Sequence, residues 1–402
     1  MSQTWYQGYI QLAFRIGKKI QKFNDSHFVD AYYGPPEWKE EVEQEGESDS
    51  GKLVRDALKL ADTLPDQDFE PRHTIYLGKQ VLAMETLARK FAGETFSLED
   101  EVQRCFDIRP EWIPESQFEE ALKIYEEVLP GTGSLFERRQ SYKKRHELAP
   151  EKIHLLPKIL RRTMDEAGRR TRLLVDLPAG EEIEINMVKD KPYGGACWYL
   201  GNYRSLIDVN TDLPTNLSTL MDLITHEGYP GHHTEAVLKE QHLYRECGHL
   251  DQSILLLTTP HCLVSEGIAM LAGEMIFSPT EIEEWMAENI YPELGMEPDT
   301  VGSTRLYRAS ELLDGVWCNA AFMLNQKRPD EEVMQYMQKY MLFKPEDAPK
   351  YLEFLKVPFQ EAYVFTYYYG KHLMETWLQG QDKHEVFRRF LKEQMMPSDF
   401  LK

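Results

Sequence analysis

Apolar residues recur at helical spacing along most of the chain. Over 116–128, SQFEEALKIYEEV, Phe118, Leu122, Ile124, Tyr125 and Val128 fall near helical spacing with acids between them, which predicts an amphipathic helix. Pro130-Gly131 ends it. Ser278-Pro279-Thr280-Glu281 has the form of a capping box with proline at the first helical position, and it opens a helix over 279–290. Further periodic stretches run over about 300–325, 330–342, 346–355 and 360–378, with Pro329, Pro345 and Pro358 as punctuation. The pattern changes once. Residues 182–211 contain EIEINMV, ACWYLG and YRSLIDVNT, rich in β-branched and aromatic residues, with Gly201-Asn202 as a hairpin turn. They predict a small antiparallel sheet of three strands just before the next helical run.

These elements predict a mainly α fold in one compact unit over 1–402, with a helical N-terminal part (1–150) and a second part (151–402) holding the sheet and the chemically interesting helices. The segment 27–38, HFVDAYYGPPEW, is rich in aromatics and prolines that restrict its backbone, and it can hold a fixed shape over a cleft or simply cover the core. Gly131-Thr132-Gly133-Ser134 is the best candidate for a flexible connection.

Composition adds exclusions. Hydrophobic residues make up 42% and charged residues 28%, the balance of a globular protein able to bury a core. The formal charge of -21 makes nucleic acid and anionic membrane surfaces poor partners, since both need a field of opposite sign. No apolar run reaches the length of a membrane span, and the N-terminus lacks the pattern of a signal peptide. The five cysteines are scattered and never spaced as C-x-x-C, so they read as reduced thiols, and the expected location is cytoplasmic.

The chemistry concentrates at His226-Glu227-Gly228-Tyr229-Pro230-Gly231-His232-His233, delivered by the apolar helical run Leu217–Thr225. A buried His-Glu pair is costly unless it binds something. In the zinc-peptidase pattern H-E-x-x-H, two histidines one helical turn apart reach one metal and the glutamate polarises its water. Here the fourth residue after His226 is Pro230, which is no ligand. In an unbroken helix His232 would lie about 240° around and about 9 Å along the axis from His226, and His233 about 10.5 Å along it. Two nitrogens on one zinc stand only about 3–3.5 Å apart. A metal site therefore demands a helix broken at Pro230-Gly231, where proline removes a donor and glycine permits unusual backbone. Without a metal, the same pattern is a buried helix ending at Pro-Gly with histidines capping carbonyls.

A third ligand is expected on a neighbouring helix. Leu263–Glu274, LVSEGIAMLAGE, is nearly all apolar or small, and Glu266 stands in it without a local partner. Gly267, Ala269 and Ala272 would let it approach the motif helix closely. Glu274 reads as a more peripheral acid. Neutral donors to a developing oxyanion are available in Thr366-Tyr367-Tyr368-Tyr369-Gly370-Lys371-His372, where the tyrosines fan around a helix and at least one can face the cleft. A cation for a substrate carboxylate has four candidates: Arg204, Arg305, Arg308 and Lys371.

His226-Glu227-x-x-Pro230-Gly231-His232, followed by Glu266-Gly267-Ile268-Ala269 and a late Tyr367-x-x-Gly370, resembles a bacterial family known as domain of unknown function 885, across most of the chain. Many members carry glutamine where this chain has Glu235, and tryptophan where it has Ile268. Such proteins look like distant relatives of the mostly helical gluzincin peptidases, among them thermostable carboxypeptidases and neurolysin-like oligopeptidases. The resemblance implies a zincin-like fold and one zinc ion per chain. His226, His232 and Glu266 would be its ligands, Glu227 the general base and Tyr367 an oxyanion donor. The sheet edge would align an extended peptide. His233, Tyr368, His372 and Arg308 are further candidates around this set, with His233 as an alternative ligand. The expected function is a metallopeptidase acting on small peptides or peptide-like substrates. The alternatives are a metal-dependent hydrolase of other amides or esters, and a helical binding protein with a relic site.

Overall fold

The computed structural model describes residues 2–23, 27–191, 193–212, 214–298, 302–359 and 361–401. Helices dominate, and most expected ones are present: Glu115–Val128, Pro279–Asn289 and Asp330–Met341 sit within a residue or so of their predicted bounds. The capping box at Ser278 forms, with Glu281 reaching back to the Ser278 backbone. The stretch around 300–325 is two helices, Ser303–Leu312 and Gly315–Asn325. The region expected from 360 begins its helix at Phe365 and runs to Leu378. Gly131 and Gly133 take positive φ and lead into Ser134, which caps the helix Leu135–Arg145 with Glu137.

Among the described residues three large apolar cores organise the molecule, with a small cluster of Ala31, Tyr199 and Val237 beside them. The first gathers the N-terminal helices Ser2–Ile20, Ser50–Thr63 and Pro71–Phe91 around Ile10, Leu12, Ile16 and Leu77. The second and largest is built on Pro260–Ile276, which is apolar on nearly every side and correspondingly buried. The third joins the helix Leu156–Leu174 to a sheet and to the motif helix Leu220–Glu227.

Among the described residues there are five strands: β1 (Val29–Tyr32), β2 (Glu182–Val188), β3 (Gly195–Gly201), β4 (Arg204–Asn210) and β5 (Ile254–Leu256). The predicted strands at 182–211 form a sheet of order β2-β4-β3. Its hairpin pair β3–β4 is antiparallel, turning through positive-φ Gly201, Asn202 and Tyr203. β2 joins β4 in parallel, a departure from a purely antiparallel arrangement. The reason is the link from β2 to β3, which passes around the end of β4, where the Asn210 amide donates to the Lys191 and Tyr193 carbonyls. β4 thereby becomes the central strand, and its run from Ile207 to Asn210 is buried.

The aromatic segment at 27–38 contributes β1, which pairs antiparallel with β5 more than 220 residues later. Their register slips between Val29 and Ala31: two residues of β1 advance against one of β5, leaving Asp30 in a bulge. This pairing ties the N-terminal part directly to the later one.

Candidate metal centre

The motif helix ends at Glu227, and a second helix starts at His232 and runs to Lys239. Between them the Tyr229–Pro230 peptide is cis. The Gly231 N–H donates to the Thr225 carbonyl at 2.9 Å, folding the second helix back onto the first. Gly231 has to be glycine: a Cβ there would stand 1.9 Å from the His226 carbonyl oxygen. The break demanded by the spacing arithmetic is therefore present, and it brings the His226 and His232 rings to 4.8 Å between centroids, nearly perpendicular.

Glu266 completes the set. Its Oε2 lies 3.5 Å from His226 Nε2 and 3.8 Å from His232 Nε2, and one ligand atom from each of the three residues lies within 4.8 Å of the other two. Burial pulls the His226 imidazole down, but the Glu266 and Glu227 carboxylates more than offset it, leaving its proton more tightly held than in free histidine. Burial likewise pushes Glu266 up, and the two histidines outweigh that, holding it below the usual carboxylate range. The decisive atom is Glu266 Oε2, which is buried and accepts no hydrogen bond. A buried carboxylate oxygen without a donor is costly, and this one faces two imidazole nitrogens at 3.5 and 3.8 Å, within a few tenths of an ångström of the spacing about a shared tetrahedral ion. The three residues fit a zinc ion.

Two of the three candidate ligands, His232 and Glu266, are braced. His232 Nδ1 meets Ser265 Oγ at 3.1 Å, Ser265 donates to Glu235 at 2.5 Å, and Lys239 donates to the other oxygen of Glu235 at 2.5 Å. With Nδ1 protonated, this chain leaves the Nε2 lone pair of His232 for a metal. Glu235, the departure noted in the sequence, thus acts as a buried anion that Lys239 neutralises. Tyr363 donates to Glu266 Oε1 at 2.8 Å. Sequence reasoning passed over Tyr363 because the run of three tyrosines drew attention to a later turn of the chain.

A cavity of about 240 Å³ opens beside the three ligands. Glu227 and Tyr367 both line it, as expected. Burial, and then the nearby Glu266 carboxylate, push the Tyr367 phenol well above its ordinary range, so it stays a neutral donor. Gly195 lets the sheet come close: a Cβ there would stand 2.6 Å from Leu223 and 3.5 Å from Glu227 Cγ. Sequence reasoning assigned Asp30 no role, yet it also lines the cavity, with His27, Tyr33 and Trp198. Burial, together with Glu266 and Glu227, raises Asp30 to about 7.

The lower-ranked candidates lie elsewhere. His233 points behind the site: its two nitrogens meet Ser205 Oγ at 2.8 Å and Glu181 at 3.0 Å, so it is no ligand and instead fastens the second helix to the sheet region. Tyr368 and His372 stack on each other at 5.5 Å and neither lines the cavity. Arg308 is exposed and pairs with Glu311 at 3.8 Å. Lys371 is buried among Glu274, Glu311 and Glu375, Arg305 pairs with Glu127, and Arg204 lies 3.3 Å from Glu182. Ion pairs take up all four cations expected for a substrate carboxylate: Arg308 pairs within its own helix, at a spacing of three residues, while Arg204, Arg305 and Lys371 pair across elements, which local spacing does not show.

No family model matches the chain, and no curated protein matches it either. Among solved structures, it resembles a putative lipoprotein from Colwellia psychrerythraea, with a TM-score of 0.58, 16% identity, and coverage of 96% of this chain and 67% of that one. It also resembles a putative lipoprotein of unknown function from Shewanella oneidensis, with a TM-score of 0.51, 12% identity, and coverage of 88% and 72%. At these identities the likeness is one of fold.

Proposed function

We propose that the protein is a zinc-dependent hydrolase of peptides or peptide-like amides, with His226, His232 and Glu266 as metal ligands. The observation that carries this reading is the unpartnered, buried Glu266 Oε2 facing two histidine nitrogens. A bound zinc ion supplies Lewis-acid polarisation of a water and of the substrate carbonyl. Glu227, buried at the cavity wall, takes the proton of the attacking water and passes it to the leaving amine. Tyr367, held neutral, donates a hydrogen bond to the oxygen on which charge develops. Walls made of β1, β3, β5 and the helices limit bulk water around these groups.

One observation counts against a carboxypeptidase in particular. Among the described residues the only Lys or Arg lining the cavity is Lys239, and Glu235 already neutralises it. No free cation waits for a C-terminal carboxylate. Hydrolysis of other amides or esters uses the same residues, and a screen across the three bond types separates these readings.

The test of the centre is Glu227→Gln. Zinc content should stay near one equivalent, while hydrolysis falls at least about a hundredfold, the usual contribution of a positioned base. A variant as active as the parent removes Glu227 from the mechanism. Zinc below about a tenth of an equivalent in the parent protein, not restored by added metal, leaves a binding protein with a relic site, because a braced three-ligand centre holds zinc tightly.

Location is a separate proposal. Five unpaired thiols support a reducing compartment, whereas the two structural neighbours are described as lipoproteins. Among the described residues no single helix is long and apolar enough to cross a membrane. Fractionation of native cells decides between cytoplasm and envelope.

A further inference from the structure

The carboxylates around the cavity do not cancel. Among the described residues four of them line it, Asp30, Glu227, Glu235 and Glu266, against Lys239 as the one lysine or arginine. Lys239 is bonded to Glu235, which accounts for that pair. A divalent ion beside Glu227 and Glu266 accounts for two more. Asp30 is left over. Among the described residues its only ion-pair partner is His27, at 3.7 Å, and burial lowers His27, keeping that ring neutral.

The backbone shows that Asp30 is aimed. It occupies the bulge of β1, where two residues oppose one of β5, and a bulge redirects a side chain that regular alternation would place elsewhere. The neighbours of the bulge keep to the apolar side: Ala31 is buried in a cluster with Tyr199 and Val237. Asp30 instead faces the same space as Glu227 and the unpartnered Glu266 oxygen. Among the described residues no hydrogen-bond donor reaches this half-buried carboxylate, and its closeness to Glu227 and Glu266 is a cost to the empty protein that a cationic ligand group would remove.

We propose that Asp30 is the specificity-determining residue of this cavity and binds a substrate cation next to the scissile bond. The chemistry recognised is an ammonium or guanidinium group, supplied either by a free N-terminus or by a basic side chain flanking the bond. This inference rests on the zinc-hydrolase reading, and it turns that reading away from substrates defined by a C-terminal carboxylate. Asp30 touches the substrate without entering the proton transfers, so its removal acts on binding far more than on turnover.

Four small hydroxamates, which grip zinc without being hydrolysed, test this by calorimetry on the zinc-loaded protein. Alanine hydroxamate against its N-acetyl form reads a free N-terminus; N-acetyl-lysine hydroxamate against N-acetyl-norleucine hydroxamate reads a side chain. At least one cationic member should bind tenfold or more tighter than its neutral partner, and the pair that shows the difference names the source of the cation. In Asp30→Asn that preference should collapse to within about threefold while the neutral probes keep their affinity; Asp30→Glu should retain part of it. Equal binding within both pairs in the parent protein overturns the assignment, as does a preference that survives Asp30→Asn. Because the parent alone gives the first result, poor folding of a variant does not shield the proposal. Failure of all four probes to bind is a different outcome: it removes the zinc centre, and the assignment with it.

Discussion

Tyr363 does for Glu266 what Ser265 and Glu235 do for His232: it fixes one atom of the side chain and leaves the other facing the point where the proposed zinc ion would sit. Burial and the adjacent Glu266 carboxylate push its phenol well above the ordinary range, so it donates at any working pH. Tyr363→Phe removes that donor and leaves a second buried oxygen of Glu266 unpaired. Zinc affinity should fall about 10- to 100-fold, the usual cost of losing such a support, read by competition with a chromogenic chelator. An unchanged affinity would show that Tyr363 only packs against Tyr367, whose ring lies 5.7 Å away. The residues that reasoning from the chain found and missed differ in one respect. His226, His232 and Glu266 announce themselves because polar groups in apolar helical runs need a reason. Tyr363 and Asp30 carry no such local anomaly: one is a tyrosine among tyrosines, and the other owes its direction to a bulge set by a strand from the far end of the chain.

At the scale of elements, two glycines decide how the centre closes. Gly267 follows Glu266 and was expected to face the motif helix; it faces the tyrosine helix Phe365–Leu378 instead, where a Cβ on it would stand 2.6 Å from the Gly370 carbonyl oxygen. Gly370 mirrors it, 2.6 Å from the Leu263 carbonyl oxygen. The two backbones thus meet almost bare, which places Tyr363 and Tyr367 over Glu266. Gly273, six residues after Gly267, is the residue that admits the motif helix: a Cβ on it would stand 3.1 Å from Thr225 Oγ1. A small-residue stripe was legible in the sequence, but which neighbour each member served was not, because a nearly all-apolar helix has no preferred face to read. Gly370→Ala should lower the unfolding free energy read by urea titration by about 1–3 kcal/mol, as overpacking does in a well-filled core, and should weaken zinc retention along with it. A variant of parental stability and parental zinc content would mean the helices can separate without cost.

The whole molecule is joined across its centre by a buried polar network. Tyr6 and His73 of the N-terminal helices meet at 2.9 Å, His73 lies 3.3 Å from Asp251 and 2.7 Å from Gln394, and Gln394 donates to Asp251 at 3.0 Å. Gln252 and Tyr76 carry the contacts on to His261 in the cavity wall. Residues at 6, 73, 251 and 394 share one ionic cluster, a contact pattern that periodicity cannot foretell because every link is long-range. Burial pulls His73 down, but Asp251 outweighs it, so its folded pKa lies above the unfolded 6.5. Burial pushes Asp251 up, and His73 outweighs that, so its folded pKa lies below 3.8. The signs set a window. The histidine's contribution is complete below 6.5 and is lost as pH rises through its raised folded value. The carboxylate's is complete above 3.8 and is lost as pH falls through its lowered one. The difference in unfolding free energy, read by urea titration, between the parent and His73→Gln, with both kept zinc-loaded, should therefore shrink from pH 6.5 to pH 9, by no more than about 1.4 kcal/mol per unit of pH. A difference that holds steady or widens over that range would show that His73 is neutral in the fold and that packing and hydrogen bonds alone join the N-terminal helices to the centre.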